Sequence, residues 1–249
     1  MNDGRIYGRR PVLEALEAGR EFNRVLIARG SAGSLGRVVA LARERGIPVQ
    51  EVTKDALDRA SGGGNHQGVV GFVSPLQYVD VADVVAKARG AGEDPFLVVL
   101  DGITDPQNLG SVIRTANAAG AHGVIVPARR GALVSPAVVR ASAGATEYTP
   151  VARVTNLARA IDFLKEEGLW VVGTDPEAGH FYHEPDLTGP LAVVIGSEGE
   201  GISRLVREKC DLLVAIPMVG KVGSLNAGVA WGVLAYEILK QRSRARLSQ

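Results

Sequence analysis

Sulfur is scarce in this chain of 249 residues, in which Cys210 is the only cysteine. A single cysteine cannot form an intrachain disulfide, and a metal site built from cysteines is excluded as well. Cys210 stands in the stretch Glu-Lys-Cys-Asp-Leu-Leu-Val, at the step into an apolar run. This setting favours a packing role for the thiol over nucleophilic catalysis.

Long apolar runs are absent too. The first residues, Met-Asn-Asp-Gly-Arg, lack the apolar core of a signal peptide, and no stretch reaches the length of a membrane-spanning helix. We therefore expect a soluble, cytoplasmic protein that makes no contact with a membrane.

An excess of charge of one sign is also missing, since the formal net charge is only +1. The molecule as a whole is therefore not a polycation, and any affinity for nucleic acid needs local basic clusters. Each cluster taken alone is most simply a solvated terminus. The two candidates lie near the ends of the chain, at Arg5, Arg9 and Arg10 and at Lys240, Arg242, Arg244 and Arg246.

The chain is nevertheless 46% hydrophobic and can bury a core. Residues 1–74 alternate short helical and strand patterns, which predicts a small N-terminal α/β domain. Its predicted helices are near 9–18, 34–45 and 53–60, and its predicted strands are at 24–28, 47–51 and 69–73. The segment 75–95, which contains a helical patch between proline- and glycine-rich ends, is predicted to be a linker.

From 96 to 249, strands and helices alternate. Strands buried on both faces are predicted for the apolar runs at 96–100, 123–126, 169–173, 191–195 and 212–216. Helices are predicted at 109–119, 135–142, 155–167, 202–208 and 224–241, with a short strand near Tyr148. This alternation predicts an α/β domain with a parallel sheet that is covered on both sides.

Three polar stretches follow predicted strands of this second domain and open helical patterns. They are 101–114 (Asp-Gly-Ile-Thr-Asp-Pro-Gln-Asn-Leu-Gly-Ser-Val-Ile-Arg), 195–203 (Ile-Gly-Ser-Glu-Gly-Glu-Gly-Ile-Ser) and 216–228 (Ile-Pro-Met-Val-Gly-Lys-Val-Gly-Ser-Leu-Asn-Ala-Gly). The carboxyl ends of parallel strands share one edge of a sheet, where open α/β sheets place their ligand sites. The three stretches therefore predict one active site.

The first stretch carries Arg114, on a helical pattern otherwise made of Val, Ile, Ala and Thr. A guanidinium is costly to bury without an anion. Arg114 is therefore either half of a structural ion pair or a ligand for a substrate phosphate or carboxylate. Asn108, just before the predicted helix, is most simply an N-cap.

The other two stretches carry Glu198, Ser224 and Asn226. Glu198 lies among glycines, where it can accept from hydroxyls or hold an arginine, and a turn or capping role is an equal alternative. Ser224 and Asn226 begin the last predicted helix, and Ser224 is a cap candidate. Gly228 and Gly232 share a face of that helix, which favours close packing against a partner helix or subunit.

All three stretches lack a histidine, a cysteine and a paired carboxylate, so no metal site is predicted. The glycine order Gly-x-x-Gly-x-Gly at 196–201 differs from the dinucleotide fingerprint, which argues against a nicotinamide-dependent enzyme. The groups that remain available for chemistry are the backbone turns and the side chains of Arg, Glu, Asn and Ser. That set suits holding a ready-made electrophile while an incoming hydroxyl is oriented.

In this order, Asp-Pro-Gln-Asn-Leu-Gly-Ser-Val-Ile-Arg-Thr-Ala, Ile-Gly-Ser-Glu-Gly-Glu-Gly-Ile and Ile-Pro-Met…Ser-Leu-Asn resemble the three signature motifs of the SpoU (TrmH-like) RNA ribose 2′-O-methyltransferases. The opening Ile-Tyr-Gly-Arg-Arg-Pro and the loop Asn-His-Gln-Gly at 65–68 resemble the N-terminal RNA-binding domain of the RlmB-type members, which act on large-subunit (23S) rRNA. The likeness covers nearly the whole chain.

The resemblance implies S-adenosylmethionine as the cofactor, held by backbone atoms at the positions matching Gly196, Ile216 and Leu225. It implies a homodimer whose site draws on both subunits. It also implies a deep trefoil knot, which general topology rules would argue against. RNA binding by the N-terminal domain is assigned to Arg9, Arg10, His66 and Gln67.

The matching catalytic positions are Asn108, Arg114, Glu198, Ser224 and Asn226. A ribose 2′-oxygen would attack the sulfonium methyl group, with Glu198 and Asn108 fixing the guanidinium of Arg114. Arg114 would act either as the base, after contact with an RNA phosphate, or by stabilising the developing alkoxide. An rRNA guanosine is the expected target. A tRNA substrate, and a non-catalytic RNA-binding or assembly protein on the same fold, are the alternatives.

Overall fold

The computed structural model of the protein describes residues 4–221 and 223–247. The chain divides into two compact units. The first holds the chain up to Gln77 together with Leu133–Pro136, and the second holds Tyr78–Ala132 and the chain from Ala137 onward. Each unit has its own sheet. Within the described ranges, no helix combines the length and the apolar character needed to cross a bilayer.

The first unit is built on a mixed four-stranded sheet in the order β1-β4-β2-β3. Its strands are β1 (Arg5–Tyr7), β2 (Phe22–Ala28), β3 (Val49–Val52) and β4 (Val69–Val73), and its helices are α1 (Arg9–Glu17), α2 (Gly36–Glu44) and α3 (Lys54–Ser61). β4 runs antiparallel to β1 and β2, whereas β2 and β3 are parallel. The predicted helices and strands are all present. β1 is an additional strand that is too short to leave a periodic pattern.

The second unit contains a seven-stranded sheet in the order β7-β6-β5-β10-β8-β11-β9. Its strands are β5 (Phe96–Leu100), β6 (Gly123–Pro127), β7 (Val151–Val154), β8 (Trp170–Thr174), β9 (His180–Phe181), β10 (Leu191–Ile195) and β11 (Leu212–Ala215). The remaining helices are α4 (Val81–Gly90), α5 (Pro106–Ala118), α6 (Pro136–Ala141), α7 (Leu157–Glu166), α8 (Arg204–Arg207) and α9 (Ala227–Leu247), with a 3₁₀ turn at Ala145–Glu147. The strand expected near Tyr148 is β7, and Tyr148 itself is exposed.

Every pairing in this sheet is parallel, as the alternating pattern predicted. The central strands β5 and β10 are buried at all their positions, because α4 and α7 cover one face and Trp231 of α9 packs on Phe96 from the other. In their register, Leu191 faces Phe96 and Ile195 faces Leu100. Their carboxyl ends are therefore level at one edge of the sheet.

The helical patch predicted inside the linker at 75–95 is helix α4. Val81, Val84 and Val85 pack in the core of the second unit with residues of β5, β6 and β10. The apolar spacing of this helix is the one that places a stripe on one helix face. From Tyr78 onward this segment therefore belongs to the second unit.

Helix α5 begins earlier than predicted, at Pro106. Asp105 is its N-cap, because the Asp105 carboxylate accepts a hydrogen bond of 3.1 Å from the backbone N–H of Asn108. The predicted capping role of Asn108 is therefore wrong. Asn108 lies inside the first turn, and its side-chain amide is available for other contacts.

Helix α9 begins later than predicted, at Ala227. The side-chain oxygen Oδ1 of Asn226 accepts from the backbone N–H of Gly228 at 3.0 Å and from that of Val229 at 3.4 Å. Asn226 is thus the capping residue, and the capping role considered for Ser224 is wrong. The amide nitrogen of Asn226 remains free to face the second stretch.

Helix α5 makes two close contacts at glycines. A Cβ atom on Gly110 would lie 2.4 Å from the Cβ of Ala141 at the end of α6, and one on Gly228 would lie 2.7 Å from Oγ of Ser111. On Gly232, one turn further along α9, a Cβ atom would meet nothing within 4 Å. Of the two glycines predicted to mark a packing face, Gly228 therefore packs against a helix of its own chain.

We predict that Gly110→Ala lowers the free energy of unfolding by about 1–3 kcal/mol, since the added methyl group meets Ala141 and nearby backbone. The matched control is Gly90→Ala in the last turn of α4, where a Cβ meets nothing within 4 Å. The control should be neutral or slightly stabilising. Urea unfolding of both variants measures the difference, and equal midpoints would contradict the packing argument.

Candidate active site

The first two polar stretches are joined at the level ends of β5 and β10. The backbone N–H of Asp101 donates to the carbonyl of Ile195 at 2.9 Å, and the Asp101 carboxylate accepts from the N–H of Ser203 at 2.8 Å. Asp101 therefore ties the loop after β5 to both ends of the loop after β10. It is a positioning residue that sequence reasoning did not single out.

All three stretches meet at the carboxylate of Glu198. Its oxygen Oε1 accepts from the side-chain amides of Asn108 at 2.9 Å and of Asn226 at 2.8 Å, and from the N–H of Ala227 at 3.5 Å. Nδ2 of Asn226 also donates to Oδ1 of Asn108 at 2.8 Å. The structure therefore brings together Asn108, Glu198 and Asn226.

This contact needs one acceptor and two amide donors. An ionised carboxylate only accepts hydrogen bonds, whereas each asparagine can both donate and accept. Nδ2 of Asn226 serves the other two residues while its Oδ1 caps α9. Glu198 is solvent-exposed, and its hydrogen bonds with the described residues all use Oε1 and none uses Oε2. One oxygen therefore organises the loops, and the other is left available for a further hydrogen bond.

A cavity of about 330 Å³ opens beside this contact. The three positions predicted to hold a cofactor, Gly196, Ile216 and Leu225, all line it, and so do Glu198 and Ser224. Ile195 and Met218 add apolar surface. The cavity lining thus combines apolar side chains with the carboxylate of Glu198.

The backbone of the second stretch forms part of the cavity wall. Ser197 and Gly201 exchange two backbone hydrogen bonds, of 3.0 and 2.9 Å, which close the loop into a tight ring. A Cβ atom on Gly196 would lie 2.1 Å from the carbonyl carbon of Gly201. Only glycine at 196 therefore allows this ring to close.

The cavity also has lining residues that sequence reasoning missed. Thr174 and Asp175 enter from the end of β8, and Arg207 enters from α8. The Asp175 carboxylate accepts from Arg207 at 2.9 Å and from the N–H of Glu177 at 2.8 Å. The available signal was Gly-Thr-Asp directly after a predicted strand, at the same edge of the sheet as the three polar stretches.

Arg114 does not join the Glu198 contact. It is exposed, and no residue in the described part of the chain forms a hydrogen bond or ion pair with its guanidinium. Within the described part of a single chain, neither Glu198 nor Asn108 therefore holds this group, and the structural ion pair considered for it is absent. The reason is helical phase, because Arg114 is six residues after Asn108 and about 240° around α5.

In the first unit, the residues predicted to bind RNA contact one another or their own unit. His66 is buried; its Nδ1 accepts from the N–H of Gly68 and its Nε2 faces a carboxylate oxygen of Asp58, both at 3.0 Å. Nε of Arg9 donates to the carbonyl of Gln67, and the backbone N–H of Arg9 donates to Oε1 of the Gln67 side chain, each at 3.1 Å. His66 therefore shapes its loop from inside.

Several residues of the two basic clusters near the chain ends make contacts within the fold. Arg10 pairs with Glu14 on α1. Arg242 donates to the carbonyls of Asp94 and Gly189, and its guanidinium lies 4.9 Å from the ring centre of Phe96. Burial lowers the pKa of Arg242 from its ordinary value. Arg242 is therefore a packing residue.

Cys210 is half-buried. Burial, followed by the nearby charge of Asp211, raises the pKa of its thiol to about 12. The thiolate form is the nucleophile, so this thiol is inert near neutral pH. The packing role expected from the sequence accounts for it.

Comparison with known proteins gives the family. Residues 95–236 match the SpoU rRNA methylase family, and residues 5–79 match the domain described as RNA 2′-O ribose methyltransferase substrate binding. YacO of Bacillus subtilis, which carries the name TrmH family tRNA/rRNA methyltransferase, is 46% identical over 96% of both chains. A protein of Mycolicibacterium vanbaalenii that carries the name uncharacterized tRNA/rRNA methyltransferase is 45% identical over 96% of this chain and 77% of its own.

Solved structures that resemble this protein are methyltransferases as well. The SpoU methyltransferase AviRb from Streptomyces viridochromogenes, in complex with AdoMet (S-adenosylmethionine), has a TM-score of 0.62 and 30% identity, covering 97% of this chain and 92% of its own. The AdoMet-bound rRNA methyltransferase from Sinorhizobium meliloti has a TM-score of 0.58 and 28% identity, covering 95% and 86%. The protein belongs to the SpoU family. It is an S-adenosylmethionine-dependent RNA 2′-O-methyltransferase.

The cavity fits this cofactor in size and in charge. Its volume of about 330 Å³ lies within the range of small-molecule sites. Among the described residues that line it, Asp175, Glu177, Glu198 and Glu200 are acidic and Arg207 alone is basic. A sulfonium is a cation, so this acidic lining favours it.

We predict that Asn226→Asp reduces methyl transfer to RNA by about a hundredfold, the scale of losing one positioned donor. The new carboxylate keeps the acceptor that caps α9, but it removes both amide donors and repels Glu198. Incorporation of labelled methyl groups into RNA measures the rate, and circular dichroism checks the helix content.

The control for this change is Asn156→Asp. Asn156 caps α7, where its side chain accepts from the N–H of Arg159 at 3.1 Å, and it lies outside the three stretches. Aspartate caps as well as asparagine does, so this variant should keep the wild-type rate. A wild-type rate for Asn226→Asp would show that the amide contacts are dispensable.

Proposed function

We propose that this enzyme transfers a methyl group to the ribose 2′-hydroxyl of a guanosine in 23S rRNA, in the cytoplasm. The observation that carries the proposal is the meeting of Asn108, Glu198 and Asn226 beside a cofactor-sized cavity. An rRNA target is supported by the substrate-binding unit, which matches over 5–79, and by the AdoMet-bound Sinorhizobium meliloti structure, whose protein is named an rRNA methyltransferase.

Each predicted site residue has a proposed part. S-adenosylmethionine, when bound, supplies an electrophilic methyl group. Gly196, Ile216 and Leu225 hold it through backbone atoms, and Ser224 shapes the same loop. Glu198 locks Asn108 and Asn226 in place, and its free oxygen accepts from the substrate. In the first unit, Arg9, Arg10 and the loop at His66 and Gln67 contact the RNA, with His66 acting through the shape of the loop.

Arg114 completes the site from a second copy of the chain. Its guanidinium faces away from Asn108 around α5 and has no partner within the described part of its own chain, which supports a homodimer with shared sites. Helix α9 packs against α5, and its apolar side chains Val229 and Tyr236 are exposed as well. Arg114 stabilises the negative charge that develops on the 2′-oxygen. Acceptance of the hydroxyl proton by Arg114 is the alternative.

A deep trefoil knot in the second unit is part of the proposal. Its support is family membership, together with a strand order in which β8 lies between β10 and β11. A knot would hold the loops after β10 and β11 against each other. That arrangement would keep the loops that line the cofactor cavity rigid.

Mapping of ribose methylation in RNA from a deletion strain tests the target. We expect one guanosine of 23S rRNA to lose its 2′-O-methyl group and to regain it when the gene is restored. Loss at a tRNA position instead would favour the tRNA alternative. No lost site, with no heat on calorimetric titration of the protein with S-adenosylmethionine, would favour a non-catalytic RNA-binding protein.

We predict that Arg114→Ala abolishes methyl transfer while S-adenosylmethionine still binds with wild-type affinity. In a shared-site homodimer, mixing Arg114→Ala with Asn226→Asp leaves one intact site in each mixed dimer. Random exchange should therefore restore about one quarter of the wild-type activity. Activity assays after subunit exchange measure this, and no recovery in proven mixed dimers would show that Arg114 acts within its own chain.

A further inference from the structure

Strand β6 lies directly beside β5, on the side away from the cofactor cavity. The strand order is β7-β6-β5-β10-β8-β11-β9, and the cavity is lined from the ends of β8, β10 and β11. The loop after β6 carries Arg129 and Arg130, both exposed. This loop therefore flanks the Asn108 loop opposite the cofactor.

The β6 loop is held against the first polar stretch. The backbone N–H of Ala132 donates to the carbonyl of Ile103 at 2.6 Å. A Cβ atom on Gly131 would lie 2.7 Å from Cγ of Pro127, so the loop folds tightly on itself. Arg129 and Arg130 thus project from an anchored turn.

Arg130 has an unusual backbone conformation, with φ of 60°. This left-handed region disfavours residues with a Cβ and suits glycine. An arginine is held there at a conformational cost, which points to a use for its side chain beyond the fold.

A third exposed arginine lies on α6, whose end contacts the first polar stretch. Gly110 contacts Ala141 closely, so the end of α6 lies on the first turns of α5. Arg140, the residue before Ala141, is exposed. Arg114 is one turn after Gly110. We call Arg129, Arg130 and Arg140 the β6 rim.

The β6 rim places three exposed cations on the loop and the helix that contact the first polar stretch, in a chain whose net charge is only +1. In the described part of the chain, no carboxylate lies within ion-pair distance of its three guanidinium groups. Several other arginines of the second unit are paired, including Arg204 with Glu208 at 2.6 Å and Arg207 with Asp175 at 2.9 Å. Free guanidinium groups match phosphate oxygens in charge and geometry.

We propose that the β6 rim binds phosphates of the RNA strand that flank the target ribose. This proposal rests on the proposed function, because it needs an RNA ribose beside Asn108. The three arginines are positioning residues: they hold the backbone and make no contact with the reacting atoms. Phosphate contacts set register without reading bases.

The experiment uses the full-length protein with R129Q, R130G and R140Q combined, and a 23S rRNA transcript as the probe. Binding is measured over a range of KCl concentrations. Each lost phosphate contact on single-stranded RNA should lower the slope of log Kd against log salt by about 0.7, so the triple variant should lose about 2. Most of the loss in kcat/KM should fall on KM, with S-adenosylmethionine affinity unchanged.

R130G alone keeps the test falsifiable if the triple variant fails to fold. Glycine relieves the positive φ, so its thermal midpoint should equal or exceed that of the wild type while RNA affinity falls roughly tenfold. The matched control is K87Q, an exposed lysine on α4 before the opposite end of β5, which should keep the wild-type slope.

A wild-type salt slope in the triple variant, or an equal change of slope in K87Q, would overturn the proposal that the β6 rim binds RNA phosphates. A wild-type enzyme that methylates no RNA ribose would instead overturn the proposed function, so the two failures are distinguishable.

Discussion

The candidate site depends on one carboxylate oxygen that accepts hydrogen bonds from two amides. Oε1 of Glu198 joins Asn108 and Asn226, which are 90 and 28 residues away in sequence. Hydrogen bonds to a charged acceptor stabilise by roughly 1.5–3 kcal/mol each, enough to select one arrangement of three loops. The parallel sheet makes this possible, because the strands before those loops end at one edge.

The helices fix the donors that this oxygen needs. Asn226 caps α9 through its oxygen and therefore presents its nitrogen, while Asp105 caps α5 and leaves the amide of Asn108 free. Glycines let these helices pack closely, at Gly110 and Gly228. Geometry at the carboxylate is thus an outcome of helix capping and helix packing, and only in part of the loops themselves.

Much of this arrangement could be predicted from the sequence. β5 and β10 were predicted with their observed bounds, because strands buried on both faces are uniformly apolar, and the three polar stretches meet as their place after strands indicated. Helix starts were missed by two or three residues, since a polar side chain near a helix start has several possible cap partners. The contact between Asp175 and Arg207 was not predictable, because neither residue stands in a recognisable spacing with the other.

Arg114 shows where residue type misleads. An arginine among apolar residues suggested burial, but burial follows helical phase, and the apolar neighbours Val112 and Ile113 turn inward while Arg114 turns out. A chain with a net charge of only +1 cannot draw RNA by its total field, so attraction must come from cations left unpaired near the site. Arg114 and the neighbouring arginines of the β6 loop are such cations, whereas those near the carboxyl end are largely occupied with the fold. The position of unpaired charge, and not its amount, is therefore what links this sequence to RNA.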